Sequence, residues 1–158
     1  MKREQQFIDF CNKIDENLLS GKIIFKDKDK NNVQVSVDNS IVLDNHVILI
    51  EIDASNQAKL VSGQYTLLNL LKDNPLNKSA DLVKDKDLIF VVIHCYGNSS
   101  SNNKYNPNRS LNNFKFIKDN LFKNDGVNYN SIHMEDLLNQ PIKNKKELIH
   151  KLTNKHLV

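Results

Sequence analysis

The chain has few of the residues from which several common functional sites are built. Its 158 residues include only four glycines and two cysteines. The glycines do not form a phosphate-binding loop, and the sequence has no G-x-S-x-G nucleophile elbow. No cysteines or histidines have the spacing of a zinc signature. These absences argue against a P-loop nucleotide site, a serine-hydrolase elbow and a structural zinc site.

Long apolar runs and cysteine motifs are also missing. Cys11 and Cys95 lie within apolar patterns and have no CxxC partner, which predicts buried, reduced thiols in a cytosolic protein. The longest apolar run, residues 88–95, is far too short to cross a membrane. The first residues are charged and lead straight into a helical pattern, so we expect no signal peptide. These features predict a cytoplasmic protein.

Arginine is rare, because it occurs only at positions 3 and 109 although Lys and Arg together number 22. The net charge of +3 and the isoelectric point near 8.8 are mildly basic. Such a charge is compatible with a nucleic-acid partner but does not identify one. The abundance of lysine and asparagine is typical of an AT-rich genome and is weak evidence for any partner.

The hydrophobic pattern predicts one mixed α/β domain without repeats or a clear linker. Residues 47–53 and 88–95 have the pattern of strands that are buried on both faces. A helix over residues 55–72, with Ser55 as its N-cap, joins them into a parallel βαβ unit. We therefore expect residues 47–53 inside a mixed sheet, between the strand containing 41–43 and the strand at 88–95. The other predicted elements are a helix at 2–18, strands at 23–25, 33–37 and near 127–129, a helix from Ser110 with Leu121 facing inward, and helices near 134–139 and from Asn144.

Two acids end the central strand on one face. The even positions from 48 to 52 are all isoleucine, whereas Glu51 and Asp53 lie on the opposite face with Cα atoms about 7 Å apart. Two like charges this close at the edge of a core are costly unless a cation neutralises them or one of them holds a proton. The pattern therefore predicts a metal site or a perturbed carboxyl group at this strand end.

An Asp before a strand, a tight turn and then Glu-x-acid near the end of the next strand resembles the PD-(D/E)XK, or restriction endonuclease-like, nuclease superfamily. Residues 2–95 reproduce its α-β-β-β-α-β order, and residues 96–158 would be a C-terminal αβα extension. The resemblance implies a single domain of the α/β (α+β) class in which Asp38, Glu51 and Asp53 are catalytic ligands of Mg²⁺ or Mn²⁺. Asp53 stands where lysine is usual, and no proline precedes Asp38. The implied activity is metal-dependent hydrolysis of phosphodiester bonds, with DNA as the favoured substrate.

The helix after the central strand adds a fourth catalytic candidate, Gln64. This residue shares an apolar helix face with Leu60, Val61 and Leu68, so it needs a hydrogen-bond partner. We expect either a bond to neighbouring backbone or a place beside the carboxylates, where several branches of the superfamily have a glutamine. Lys59 is the nearest substitute for the missing lysine, but its helical phase predicts that it faces solvent.

The polar loop at 96–109 supplies the candidate nucleic-acid contacts. Lys104 and Arg109 can contact phosphates, and Tyr105 can stack on a base. The alternative is a mobile, Asn-rich loop without a binding role. Glu4, Asp44 and the histidines at 46 and 94 are more simply explained as a solvated helix-terminal acid, a turn residue and satisfied histidines.

A second class of function stays open: the same fold without catalysis. It would serve as a nucleic-acid- or protein-binding module, or as an accessory subunit of a defence or mobile-element system. The missing lysine favours the module, and the three acids favour the nuclease. A monomer, a homodimer and a larger assembly are all compatible with the sequence.

Overall fold

The computed structural model describes residues 2–29, 32–97, 103–155 and 157. It confirms the predicted mixed α/β class. No helix in these ranges is long and apolar enough to cross a membrane, and Cys11 and Cys95 are buried free thiols. The elements in chain order are α1 (Lys2–Ile14), β1 (Ile23–Lys26), β2 (Gln34–Val37), β3 (Asn39–Val42), β4 (His46–Asp53), α2 (Ala58–Leu71), α3 (Lys78–Val83), β5 (Asp87–His94), α4 (Asn108–Leu121), β6 (Asn128–His133), α5 (Met134–Leu138) and α6 (Lys145–Thr153).

A four-stranded mixed sheet lies at the centre of the fold, with the strand order β3-β4-β5-β6. β3 pairs with β4 in antiparallel fashion, whereas β4, β5 and β6 run parallel to one another. The central strand is therefore interior, with the predicted neighbours on both sides. β1 and β2 form a separate two-stranded antiparallel sheet. Asp38 is the single residue between β2 and β3, and so connects the two sheets.

Helices cover both faces of the large sheet. Helices α1, α5 and α6 pack against one face, which includes Ile48 and Ile50 of β4. Helices α2 and α4 and the β1–β2 hairpin pack against the other, which includes Val47 and Leu49. Burial of each such side chain contributes roughly 1.5–3 kcal/mol, and a slip of one residue would exchange the two faces. This burial therefore fixes the register that places the acids of β4 on the α2 and α4 side.

Several local predictions are wrong. Helix α2 begins at Ala58, not at Ser55, because the Ser55 hydroxyl bonds to the carboxylate of Asp53 instead. Leu60 and Leu121 were expected to face the sheet but are 55% and 65% exposed. Both lie in the terminal turns of their helices, where helical phase alone does not decide burial. The charged segment after α2, expected to be a loop, contains the short helix α3.

Candidate functional site

The polar side chains of the large sheet gather where its parallel strands end. Asp53 on β4 is in register with His94 on β5, which in turn is in register with the end of β6. Alternation along the strands places Glu51, Asp53, His94 and Ser131 on the face towards α2 and α4. Ligands of open α/β sheets bind at the carboxyl ends of the strands. This end of the sheet is therefore the candidate functional site.

The first part of the site is the acidic pair, which we define as Asp38 and Glu51. Asp38 Oδ2 accepts a hydrogen bond of 2.8 Å from the backbone N–H of Ile52, which holds Asp38 beside the end of β4. Glu51 Oε2 is buried and has no hydrogen-bond partner among the described residues. The pair thus contains a carboxylate oxygen that the described residues leave unsatisfied.

The charge state of Glu51 follows from these surroundings. Burial raises the pKa of Glu51 to about 7. Hydrogen bonding by the Gln64 amide opposes this rise in the pKa, the nearby charge of Asp38 adds to it, and the backbone of Asp38 opposes it. Near neutral pH, Glu51 is therefore poised between its protonated and charged forms.

Gln64 interacts both with backbone and with a carboxylate, the two alternatives that the sequence predicted for it. Its Nε2 donates a hydrogen bond of 2.9 Å to the backbone carbonyl of Ser36 on β2, and the same amide lowers the pKa of Glu51. Lys59 is exposed, as predicted. Gln64 therefore ties α2 to the β1–β2 hairpin while it faces the acidic pair, and a catalytic role for it stays a prediction.

Asp53 belongs to a second group, the histidine chain, which we define as Asp53, His94 and Ser131. Asp53 Oδ2 lies 3.3 Å from Nδ1 of His94, and Nε2 of His94 lies 2.7 Å from Oγ of Ser131. The backbone N–H and the hydroxyl of Ser55 also donate to the Asp53 carboxylate. Burial alone would raise the pKa of Asp53, but the bonds from His94 and Ser55 outweigh it and lower this pKa below its ordinary value.

The connectivity of the histidine chain matches that of a Ser-His-Asp triad. However, His94 is 0% exposed and Ser131 is 4% exposed, so a substrate cannot reach the hydroxyl. His94 is the satisfied core histidine expected from the sequence. Its pairing with Ser131 was missed, and the signal that could have found it is the parallel register of three strand ends, which places Asp53, His94 and the end of β6 side by side.

The three predicted metal ligands thus divide into two environments. The structure brings Asp38 and Glu51 together and places Asp53 with His94. Among the described residues, no group of three or more His, Cys, Asp or Glu side chains is arranged to hold a metal ion. The acidic pair still suits Mg²⁺, which is often held by one or two carboxylates together with water and substrate phosphate.

Two of the predicted nucleic-acid contacts already have protein partners. Tyr105 is 3% exposed, stacks on the ring of His94 with 4.1 Å between centroids, and shares a hydrogen bond with Ser110. Its ring is therefore not accessible to a base, because it is packed against the core. Lys104 Nζ lies 2.6 Å from Asp136. Residues 98–102 of the predicted loop lie outside the described residues.

Arg109, the third predicted nucleic-acid contact, is accessible. It belongs to the first turn of α4, and its guanidinium group donates a hydrogen bond of 3.1 Å to the backbone carbonyl of Asn56. A cleft of about 850 Å³ lies elsewhere, where β5 and β6 begin. Both lysines and aspartates line that cleft, so it does not favour ligands of one charge. It also lies away from the acids of β4.

Comparison of the chain with protein-family models, with curated proteins and with solved structures gives no match. The function of this protein therefore has to follow from the chemistry of its own side chains.

Proposed function

We propose that this protein is a divalent-cation-dependent nuclease whose cation is held by Asp38 and Glu51. The observation that carries the proposal is the buried Oε2 of Glu51, which has no hydrogen-bond partner among the described residues. A buried, unsatisfied carboxylate oxygen is costly, and a second acid beside it adds to the cost. A cation would satisfy both carboxylates at once.

The residues of the acidic pair fit Mg²⁺ or Mn²⁺, since both ions prefer oxygen ligands. Once bound, the ion supplies Lewis-acid polarisation of a phosphate and acidifies a water molecule. The chain itself orients the ligands: the N–H of Ile52 holds Asp38, and Gln64, fixed by Ser36, faces Glu51. Because the pKa of Glu51 is about 7, its proton would readily be released to solvent when a cation binds near neutral pH.

The proposed substrate is nucleic acid, with DNA favoured, and the proposed location is the cytoplasm. A non-catalytic nucleic-acid- or protein-binding module is the second candidate. It is favoured by Asp53, which stands at the position where the superfamily has lysine and is held by His94. It is also favoured by Lys59, which is exposed on α2 rather than buried with the acids.

Thermal unfolding in the presence of metal tests the proposal. Mg²⁺ or Mn²⁺ at a hundredfold excess over its Kd should stabilise the wild type by about 2.7 kcal/mol. Asp38→Asn and Glu51→Gln should abolish this gain, because each removes a charged ligand. Asp44→Asn is the matched control, since Asp44 is an exposed acid in the turn between β3 and β4, and it should keep the gain.

Cleavage of a plasmid and of a single-stranded oligonucleotide under the same conditions separates the two candidates. The nuclease predicts metal-dependent cleavage that both site variants lose and Asp44→Asn keeps. Metal-linked stabilisation without cleavage would favour the binding module. A melting temperature that neither metal changes would overturn the metal site itself.

A further inference from the structure

A second cleft, of about 540 Å³, lies where the start of α2 meets the first turns of α4. The chain contains 19 acids, yet none of them lines this cleft. Two lining side chains are cations and three are amides. This composition is complementary to an anion. We call it the Arg109 cleft, and its lining residues are Asn56, Gln57, Ala58, Lys59, Arg109 and Asn113.

Arg109 is held in place by the protein before any ligand binds. Its guanidinium carbon lies 5.4 Å from the centre of the Tyr105 ring, and that ring is stacked on His94. One N–H donates to the carbonyl of Asn56. An arginine side chain has five N–H donors in a planar fork, so several stay available for a bidentate contact with phosphate. Because the side chain is already ordered, binding loses less conformational entropy.

The positive charges of the Arg109 cleft are not neutralised by neighbouring acids. Lys72, Lys104 and Lys115 each have a carboxylate within 4 Å. In the part of the chain that the structure describes, neither Arg109 nor Lys59 forms such an ion pair. An anion that enters the cleft therefore does not have to displace an internal carboxylate.

The Arg109 cleft and the acidic pair lie at the same end of the sheet. Asn56 and Gln57 follow the last residue of β4 by three and four positions. The N–H of Gln57 bonds to the hydroxyl of Ser55, which itself bonds to Asp53. A nucleic acid that places one phosphate at the acidic pair can therefore extend along its backbone towards the cleft.

We infer that the Arg109 cleft binds a backbone phosphate of the nucleic acid, held chiefly by Arg109. This inference rests on the proposed function for the identity of the ligand but not on the metal site. Inorganic phosphate presents the same chemistry, so both sources have to be tested.

Fluorescence anisotropy with a fluorescein-labelled single-stranded DNA of 16 nucleotides, and with its duplex, tests the inference. Binding is measured in EDTA, so that no metal contributes. Arg109→Gln should weaken binding by about tenfold and lower the slope of log K against log salt by about 1. Arg109→Lys should recover only part of the affinity, because it restores the charge without the planar fork.

Asn113→Asp and Asn112→Asp form a matched pair of variants. Both add one negative charge to α4, but only Asn113 lines the cleft, and Asn112 is exposed outside it. The first should weaken DNA binding by about tenfold and the second by less than about twofold. Urea unfolding of each variant verifies that the fold is retained.

Equal DNA affinities for the wild type, Arg109→Gln and Asn113→Asp would overturn the inference and leave the metal-site proposal intact. Inorganic phosphate is the competing probe. If it binds in an Arg109-dependent manner while the oligonucleotides do not bind, a nucleic-acid occupant is overturned. Conversely, Arg109-dependent DNA binding without any metal effect on stability would support the cleft and refute the acidic pair as a metal site.

Discussion

The acidic pair and the histidine chain place two carboxylates of the same strand in different environments. Glu51 and Asp53 are two residues apart on the same face of β4, and both are partly buried. Nevertheless, the pKa of Glu51 is raised to about 7, whereas that of Asp53 is lowered. Burial raises both pKa values, but the bonds from His94 and Ser55 outweigh it at Asp53. The bonds from Gln64 and the backbone of Asp38 do not outweigh it at Glu51, whose Oε2 has no partner among the described residues.

This contrast separates an acid whose charge the protein compensates from one whose charge it compensates only in part. The charge of Asp53 is already compensated, so a cation gains little by replacing His94. Glu51 is compensated only in part, by the Gln64 amide and the backbone of Asp38, so an added cation or proton gains the most there. Variants that remove these donors or neutralise these acids test whether the two carboxylates differ in this way.

The largest effect is expected from removal of His94. His94→Ala should lower the free energy of unfolding by about 3–5 kcal/mol, because it leaves a cavity and leaves Asp53 with only the bonds from Ser55. Urea unfolding at pH 7 measures this loss. His46→Ala, at the partly exposed start of β4, should cost less than about 1 kcal/mol. Equal losses in both variants would show that the histidine chain does not hold the strand ends together.

The second prediction is that neutralising the two acids of β4 has opposite effects at pH 8 without metal. The raised pKa of Glu51 means that the stability it contributes is complete below about pH 4.5 and is lost as the pH rises through about 7. Glu51→Gln should therefore raise the free energy of unfolding by about 1–3 kcal/mol, allowing for partial solvent access.

Asp53 has the reverse sign, because its lowered pKa stabilises the fold above the ordinary aspartate pKa and that contribution is lost as the pH falls. Asp53→Asn should therefore lower the free energy of unfolding at pH 8 by about 1–2 kcal/mol. Urea unfolding of both variants between about pH 2.5 and pH 8.5 measures the two curves. A shift of the same sign in both would contradict the division between the two groups.

The smallest effect is expected from Gln64→Met, which keeps the side-chain volume but removes the amide. The loss of its bond to Ser36 should lower the free energy of unfolding by about 0.5–1 kcal/mol. The titration midpoint of Glu51, followed by carbon NMR, should move to higher pH, because the Gln64 amide favours the charged form. Gln57→Met, on the exposed start of the same helix, should leave that midpoint unchanged; an unchanged midpoint in Gln64→Met as well would refute the contact.

Much of the fold was predictable because two strands have unambiguous apolar patterns. The side chains of residues 47–53 alternate between two apolar faces, and residues 88–95 are apolar throughout. These patterns predicted an interior strand with a parallel neighbour. The helical phase of α2 likewise predicted the outward direction of Lys59 and the inward direction of Gln64. The electrostatic cost of adjacent acids predicted that one carboxyl would hold a proton or a cation. The pKa of Glu51 is indeed raised, but burial is the main cause and the adjacent Asp53 contributes least.

The partners of each acid were not predictable, since they depend on contacts between distant segments. The bond from Asp53 to His94 spans 41 positions, and it depends on the register of two strands that hydrophobicity alone does not give. Tyr105 looked like a surface residue because its neighbours in the sequence are polar, but it packs on the ring of His94. Local sequence therefore indicated which residues are candidates for a site, and tertiary contacts decided which of them have hydrogen-bond partners among the described residues.

The position of Asp38 between β2 and β3 couples the hairpin to the acidic pair. The hairpin and the large sheet are separate hydrogen-bonded units, so a rotation of one against the other would move Asp38 relative to Glu51. Gln64 reinforces this coupling, because it contacts the hairpin backbone and Glu51 together. A cation held by the two acids would therefore stabilise the packing of the hairpin against the large sheet. Because linkage is reciprocal, packing of the hairpin would increase the affinity for the cation by the same factor.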